Sequence, residues 1–264
     1  MTETPSDAVG GGPDGERRRR AASFDELGER YHLVRPGYPD DAVDWMLPPG
    51  ARDVLDLGAG TGRLTDSLVA RGLSVVAVDP SERLLAVLSG RHPGVRTIVG
   101  TAERLELPDA SLDAVVVGQA WHWMDVEVAS AEAARVLRPG GTLAMIWNDR
   151  RPRPGWQQEF DAIQDAVRGS ALVDETDSAP RPPFGPVEVY RTSWTRELPA
   201  EDFLALYTTH SPFLVADEAT QADRLRRWQA LLDAHAGASV VEDYATEARR
   251  ARLTDAATPP NATR

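Results

Sequence analysis

The 264-residue chain contains no cysteine. This excludes disulfides, thiolate metal sites and every mechanism that needs a Cys nucleophile. Lysine is absent too, so all 29 basic residues are arginine; Schiff-base and lysine-base mechanisms are excluded, and codon bias accounts for the gap. No apolar run approaches the roughly 18 residues of a membrane span. The N-terminus holds Gly, Asp and Arg where a signal peptide would carry its apolar segment. Positive charge is in deficit: 41 acidic residues give a formal net charge of -12, which repels phosphate backbones at long range. With 42% hydrophobic and 27% charged residues, the composition is that of a soluble globule. The expectations are a cytoplasmic monomer or homodimer acting on a small-molecule substrate, with no nucleic-acid or membrane partner.

Residues 1–22 and 254–264 are rich in Gly, Pro and charge, with little to bury, and read as disordered tails. The Arg17 to Arg20 run reads as a solvated part of that tail. Between the tails, "SFDE" at Ser23 has capping-box spacing and opens a helix through Tyr31, and Pro39 opens a second toward Leu47. Apolar strands are expected at 53–57, 74–78, 95–99, 112–117 and 142–147. They alternate with helices at 62–71, from Ser81, and at 126–137, and with a helical turn near Glu103. This alternation implies an α/β fold: an open, doubly wound, mostly parallel sheet with helices on both faces. Beyond Trp147 the pattern gives a helix at 156–167, helices at 200–207 and 217–235, and two last strands near 187–197 and 244–253, seven in all. One domain is expected over 23–253, with a core at 50–150 and a helical substrate cap at about 199–239.

In a parallel sheet, ligands sit where strands end and helices begin. Here that place reads "VLDLGAGTGRLT", Val54 to Thr65. A dinucleotide fingerprint, G-x-G-x-x-G/A, fails because Arg63 occupies the third position. The spacing present is D-x-G-x-G-x-G: Asp56, Gly58, Ala59, Gly60 and Gly62. Twenty-one residues after Gly58, Asp79 and Pro80 end the second strand; a carboxylate there suits two ribose hydroxyls, or caps the next helix. Then come "VGTAERL" (Thr101, Ala102, Glu103) and "ARVLRPGGTLAMIW" (134–147), whose Gly140 and Gly141 end a helix.

These four motifs, in this order over residues 24–150, resemble those of class I S-adenosylmethionine-dependent methyltransferases of the small-molecule type. The resemblance implies a Rossmann-like methyltransferase fold and S-adenosyl-L-methionine as cofactor. It places Asp56 near the cofactor's ammonium, Asp79 on the ribose, Thr101, Ala102 and Glu103 at the adenine, and Gln119 and Trp121 beside the adenosine. After the fourth strand, "GQAWHWMD" puts His122, with Trp121 and Trp123 on either side, where such enzymes address substrate. His122 reads either as a general base or as packing. The "ERYHLVRPGYP" segment, Glu29 to Pro39, is similar to the Y-x-x-x-R-P-x-Y-P lid of the trans-aconitate and ubiquinone-pathway enzymes, which makes Tyr31, Arg35 and Tyr38 lid residues. Arg35 suits a carboxylate or a surface acid. Tyr207, His210 and Phe213 line the acceptor pocket or belong to the core. No metal is expected, because Gln119 stands where the magnesium-dependent relatives carry an acid. The alternative function is a non-catalytic S-adenosylmethionine or S-adenosylhomocysteine sensor or scaffold.

Overall fold

Seven strands pair into one sheet in a computed structural model that describes residues 32–165 and 179–254. Tyr31, the helix expected from Ser23, the first expected tail and the second one beyond Thr254 lie outside the described residues. The strands are β1 (Asp53–Leu57), β2 (Ser74–Asp79), β3 (Arg96–Val99), β4 (Leu112–Gly118), β5 (Leu137–Arg151), β6 (Glu188–Pro199) and β7 (Ser239–Arg252). Their spatial order is β3-β2-β1-β4-β5-β7-β6, and only β7 runs against its neighbours. The order reverses between β1 and β4, which is the switch point where such sheets open a crevice.

The period-2 alternation of strand side chains feeds two cores. On one face Val54, Val75, Ala114, Val116, Ala144 and Ile146 pack under α1 (Asp40–Met46) and α2 (Arg63–Ala70). On the other, Leu55, Leu57, Val115, Val117, Leu143 and Met145 meet Ala129, Ala133 and Val136 of α4 (Val126–Val136). Between them in sequence, α3 (Glu82–Arg91) starts at a Ser81 cap that accepts from Leu84 N–H, as the sequence suggests, and buries Leu85 and Leu88 against Ala59 and Ala77.

A third core lies beyond the sheet edge. There α5 (Trp156–Asp165), α6 (Ala200–Thr208), α7 (Ser211–Leu214) and α8 (Glu218–His235) enclose Phe160, Phe203, Tyr207, Phe213 and Trp228. The lid's Val34 packs into this cluster, so lid and cap share one core.

Three expectations need correction. Strand β5 is far longer than 142–147: it starts straight from α4 at Leu137, shifts register between Leu112 and Ala114, and continues to Arg151 because β7 pairs with it through Asp243. The segment near Glu103 is a turn closed by a bridge between Thr101 and Arg104, too short to be a helix. A 3-10 turn, Trp121–Trp123, follows β4 where no element was expected; Trp121, an apolar anchor at 0% exposure, holds it down.

Candidate active site

The loop after β1 is fixed by its own backbone. Gly58 and Ala59 N–H both donate to the Val78 carbonyl at 2.8 and 3.1 Å, which ties the loop to the end of β2. Gly58 has φ +73°, and a Cβ there would stand 2.6 Å from the Ala120 Cβ, so only glycine fits. Gly60, at φ +55°, has no protein atom within 4 Å of a would-be Cβ, and the space above it is left to a ligand. Asp79 closes the loop from below: Oδ2 accepts from Gly60 N–H and Oδ1 from Ser81 N–H, each at 2.9 Å. The sequence suggested a ribose contact or a helix cap for Asp79; the structure shows both of its oxygens holding loop backbone N–H groups.

Asp56 sits at the bottom of the loop with 1% exposure. Its Oδ2 accepts from the Thr65 hydroxyl at 2.6 Å, and its Oδ1 has no partner. Burial, opposed by the Thr65 hydroxyl and reinforced by the Asp79 charge, pushes its carboxyl up to about 7. A buried acceptor of this kind costs stability until something donates to it.

A cleft opens over this loop. Its floor is Asp56, Gly58, Ala59, Gly60 and Thr61, and Arg63 and Leu64 of α2 continue it. Gly118 and Gln119 form one wall, Asn148 of β5 another, and Arg35, Pro36 and Tyr38 of the lid the roof. Tyr38 seats there because residue 118 is glycine: a Cβ would lie 2.7 Å from the Tyr38 hydroxyl. Gln119 holds the uncommon φ of +57° and donates from Nε2 to the Asn148 carbonyl at 3.0 Å. Asn148 Nδ2 donates to the Gly37 carbonyl at 2.8 Å, pinning the lid to β5. Arg35 donates to Thr209 Oγ1 and to its carbonyl, both at 3.1 Å, and so ties lid to cap.

The remaining expected residues fall elsewhere. Pro80 follows β2 at the loop's outer side. Ala102 is buried in the sheet core, and Glu103 accepts from Asp125 N–H at 3.0 Å, while Thr101 is exposed. Trp121 is fully buried in that same core and does not border the cleft. His122 is exposed, tilted against Trp123 at a ring distance of 4.8 Å, and stands outside the cleft lining; desolvation by its surroundings holds it below the usual imidazole value. Tyr207, at 3% exposure, belongs to the cap core with its hydroxyl on Asp161, and Phe213 packs in the same core. His210 Nδ1 lies 3.1 Å from the Gln164 amide nitrogen. Sequence reasoning missed Arg63, seen there only as a misfit to the dinucleotide spacing, and Asn148.

A family model described as a methyltransferase domain matches residues 55–145. An uncharacterized methyltransferase of Mycobacterium tuberculosis (strain ATCC 25618 / H37Rv) is 43% identical over 223 residues, 83% of this chain and 89% of that protein. The chain belongs to the class I S-adenosylmethionine-dependent methyltransferases. Among solved structures, a protein assigned as a type II methyltransferase from Anaeromyxobacter dehalogenans superposes with a TM-score of 0.65 at 30% identity, covering 83% of this chain and 98% of that one. The malonyl-[acyl-carrier protein] O-methyltransferase of Methylococcus capsulatus is 43% identical over 103 residues, 37% of each protein.

The methyltransferase's own residues fit S-adenosylmethionine on two counts. Asp56 Oδ1 is a buried acceptor without a donor at the edge of the cleft, as an ammonium requires, and the space over Gly60 admits a ligand against bare backbone.

Proposed function

We propose that this methyltransferase alkylates a small-molecule acceptor, at oxygen, nitrogen or carboxylate, by in-line displacement. One observation carries the reading: the cleft is roofed by the lid, and lid and cap are bonded to each other through Arg35 and Thr209. A cleft covered in this way suits a metabolite better than a polymer. The net charge of -12 points the same way.

Bound S-adenosylmethionine supplies a methyl group activated by its sulfonium. The protein's part is placement. Asp56 and the glycine loop hold the cofactor's amino-acid end, Asp79 keeps Gly60 in register, and Tyr38, Gln119 and Asn148 give the acceptor polar walls and exclude water. Holding two reactants at a near-attack distance of about 3 Å supplies much of the rate in such displacements. His122 stands outside the cleft lining, tilted against Trp123, so of its two readings packing is the one taken here, and placement alone carries the transfer.

The test is methyl release from labelled S-adenosylmethionine over a panel of carboxylic acids, phenols and amines, with oligonucleotides alongside. Turnover with a small acceptor supports the reading, and turnover with oligonucleotides alone overturns it. His122→Ala should leave kcat for a protonated acceptor nearly unchanged; a loss of about two to four orders of magnitude with an altered pH profile would restore the base role. Unchanged turnover in that variant removes the base role and leaves placement alone.

A further inference from the structure

Two buried polar atoms at one cleft have no partner of their own, and they are of opposite kinds. Asp56 Oδ1 is an acceptor; Arg63 Nε is a donor. They do not serve each other, since Asp56 is bonded by Thr65 and Arg63 turns its other edge to Asp66 and His32. Arg63 Nη1 lies 3.5 Å from Asp66 Oδ2 and 3.3 Å from His32 Nε2. His32 is itself held by its Nδ1, 3.1 Å from the Thr61 carbonyl. The Nη1 corner is therefore fixed, which leaves the edge formed by Nε and Nη2. That edge is the planar fork that matches a carboxylate with two parallel N–H donors. It does not swing freely: a Cβ on Gly37 would meet Nη2 at 3.5 Å, so the lid lies close on that side. Partial burial acts against the charge of Arg63, and Asp66 only partly offsets it. A buried Nε without an acceptor is costly unless a ligand fills it.

We infer that Arg63 is the carboxylate seat of this cleft and that, with Asp56 as the ammonium seat, it reads the cofactor's zwitterionic amino-acid end. A free carboxylate on the acceptor offers Arg63 the same chemistry, but it leaves Asp56 Oδ1 unserved. A zwitterion serves both atoms at once. The inference rests on the cofactor assignment, and it makes Arg63 a positioning residue: a methionine end held at both charges fixes where the sulfonium stands.

The experiment is isothermal titration of the full chain with S-adenosylmethionine, its decarboxylated analogue and 5′-methylthioadenosine, for wild type, Arg63→Leu and Arg63→Lys. Wild type should prefer S-adenosylmethionine over the decarboxylated analogue by roughly tenfold or more, as charge-assisted bonds give. In Arg63→Leu that preference should collapse to within about twofold. Binding of 5′-methylthioadenosine should stay unchanged, which also reports that the variant is folded. Arg63→Lys, which keeps the charge but lacks the fork, should fall between. A preference that persists in Arg63→Leu overturns the inference. If wild type binds none of the three compounds, the cofactor assignment fails instead, and the two failures are distinct.

Discussion

At the ends of β1 and β2, two buried carboxyl groups are served mostly by backbone and hydroxyl donors, and one oxygen of Asp56 is served by nothing. Under the cap, Glu242 is at 0% exposure and is fully enclosed by donors: Arg150 Nε at 2.8 Å, Arg196 Nη2 at 2.6 Å and the Tyr244 hydroxyl at 3.2 Å. Arg150 goes on to grip both oxygens of Asp161 at 2.7 and 2.8 Å and the Gln157 amide oxygen at 3.0 Å, and Arg196 reaches the Val34 carbonyl of the lid at 2.9 Å. The difference teaches where each region's task lies. The loop end is left polar and incomplete, as a binding site must be before its ligand arrives. The cap end is complete, and its polar groups hold the roof in place.

If the Glu242 network is scaffolding, breaking it should be the most damaging change to stability. Glu242→Gln removes the carboxylate that Arg196 and Arg150 share and leaves Arg150 with Asp161, so urea unfolding should show a loss of about 3 kcal/mol, with the affinity of the surviving fold for S-adenosylhomocysteine little altered. A loss below about 1 kcal/mol would mean that the network is solvated, and the contrast would vanish.

Asp79 probes the other end. Asp79→Ala frees Gly60 N–H and Ser81 N–H and should weaken cofactor binding by about 1.5 to 3 kcal/mol, with the global unfolding midpoint moving less than in Glu242→Gln. Equal cofactor binding by the variant would end any role of Asp79 in the site.

The smallest effect is expected at Tyr207. Its hydroxyl bonds Asp161, which keeps its grip from Arg150, so Tyr207→Phe should lose only about 1 kcal/mol of stability. Because Tyr207 sits in the cap core, kcat and KM should stay within about twofold for any acceptor found. A large rise in KM alone would return Tyr207 to the acceptor pocket.

The same contrast explains what could be read from residue order. The sheet was legible because strand and helix periods are local, and because the glycine spacing after Asp56 is a backbone requirement confined to a few residues. Most element bounds between Asp53 and Val136 fall within one or two residues of the expectation. The cap's helices were also legible as elements, but not their task. Whether Tyr207 faces a ligand or Phe160 and Trp228 depends on contacts between segments dozens of residues apart, which periodicity does not encode. Strand β5 was read short for a related reason: its extension to Arg151 is imposed by pairing with β7, about a hundred residues later. Arg63 and Asn148 carry no motif of their own. Their place at the cleft follows from the lid folding back over the loop.

The central claim is that the loop end is incomplete by design and that Asp56 awaits a cation. In the free protein its carboxyl is raised from 3.8 to about 7, so this group's contribution to stability is present below about pH 4 and is lost as pH rises through 7. An ammonium beside it reverses that preference and drives the proton off. The most direct measurement is calorimetric titration with S-adenosylhomocysteine at pH 6 in buffers of different ionisation enthalpy, for wild type and Asp56→Asn. The account predicts release of about one proton per site in wild type, affinity that rises toward pH 7, and neither effect in Asp56→Asn. Binding at full affinity with no proton release in wild type would contradict it.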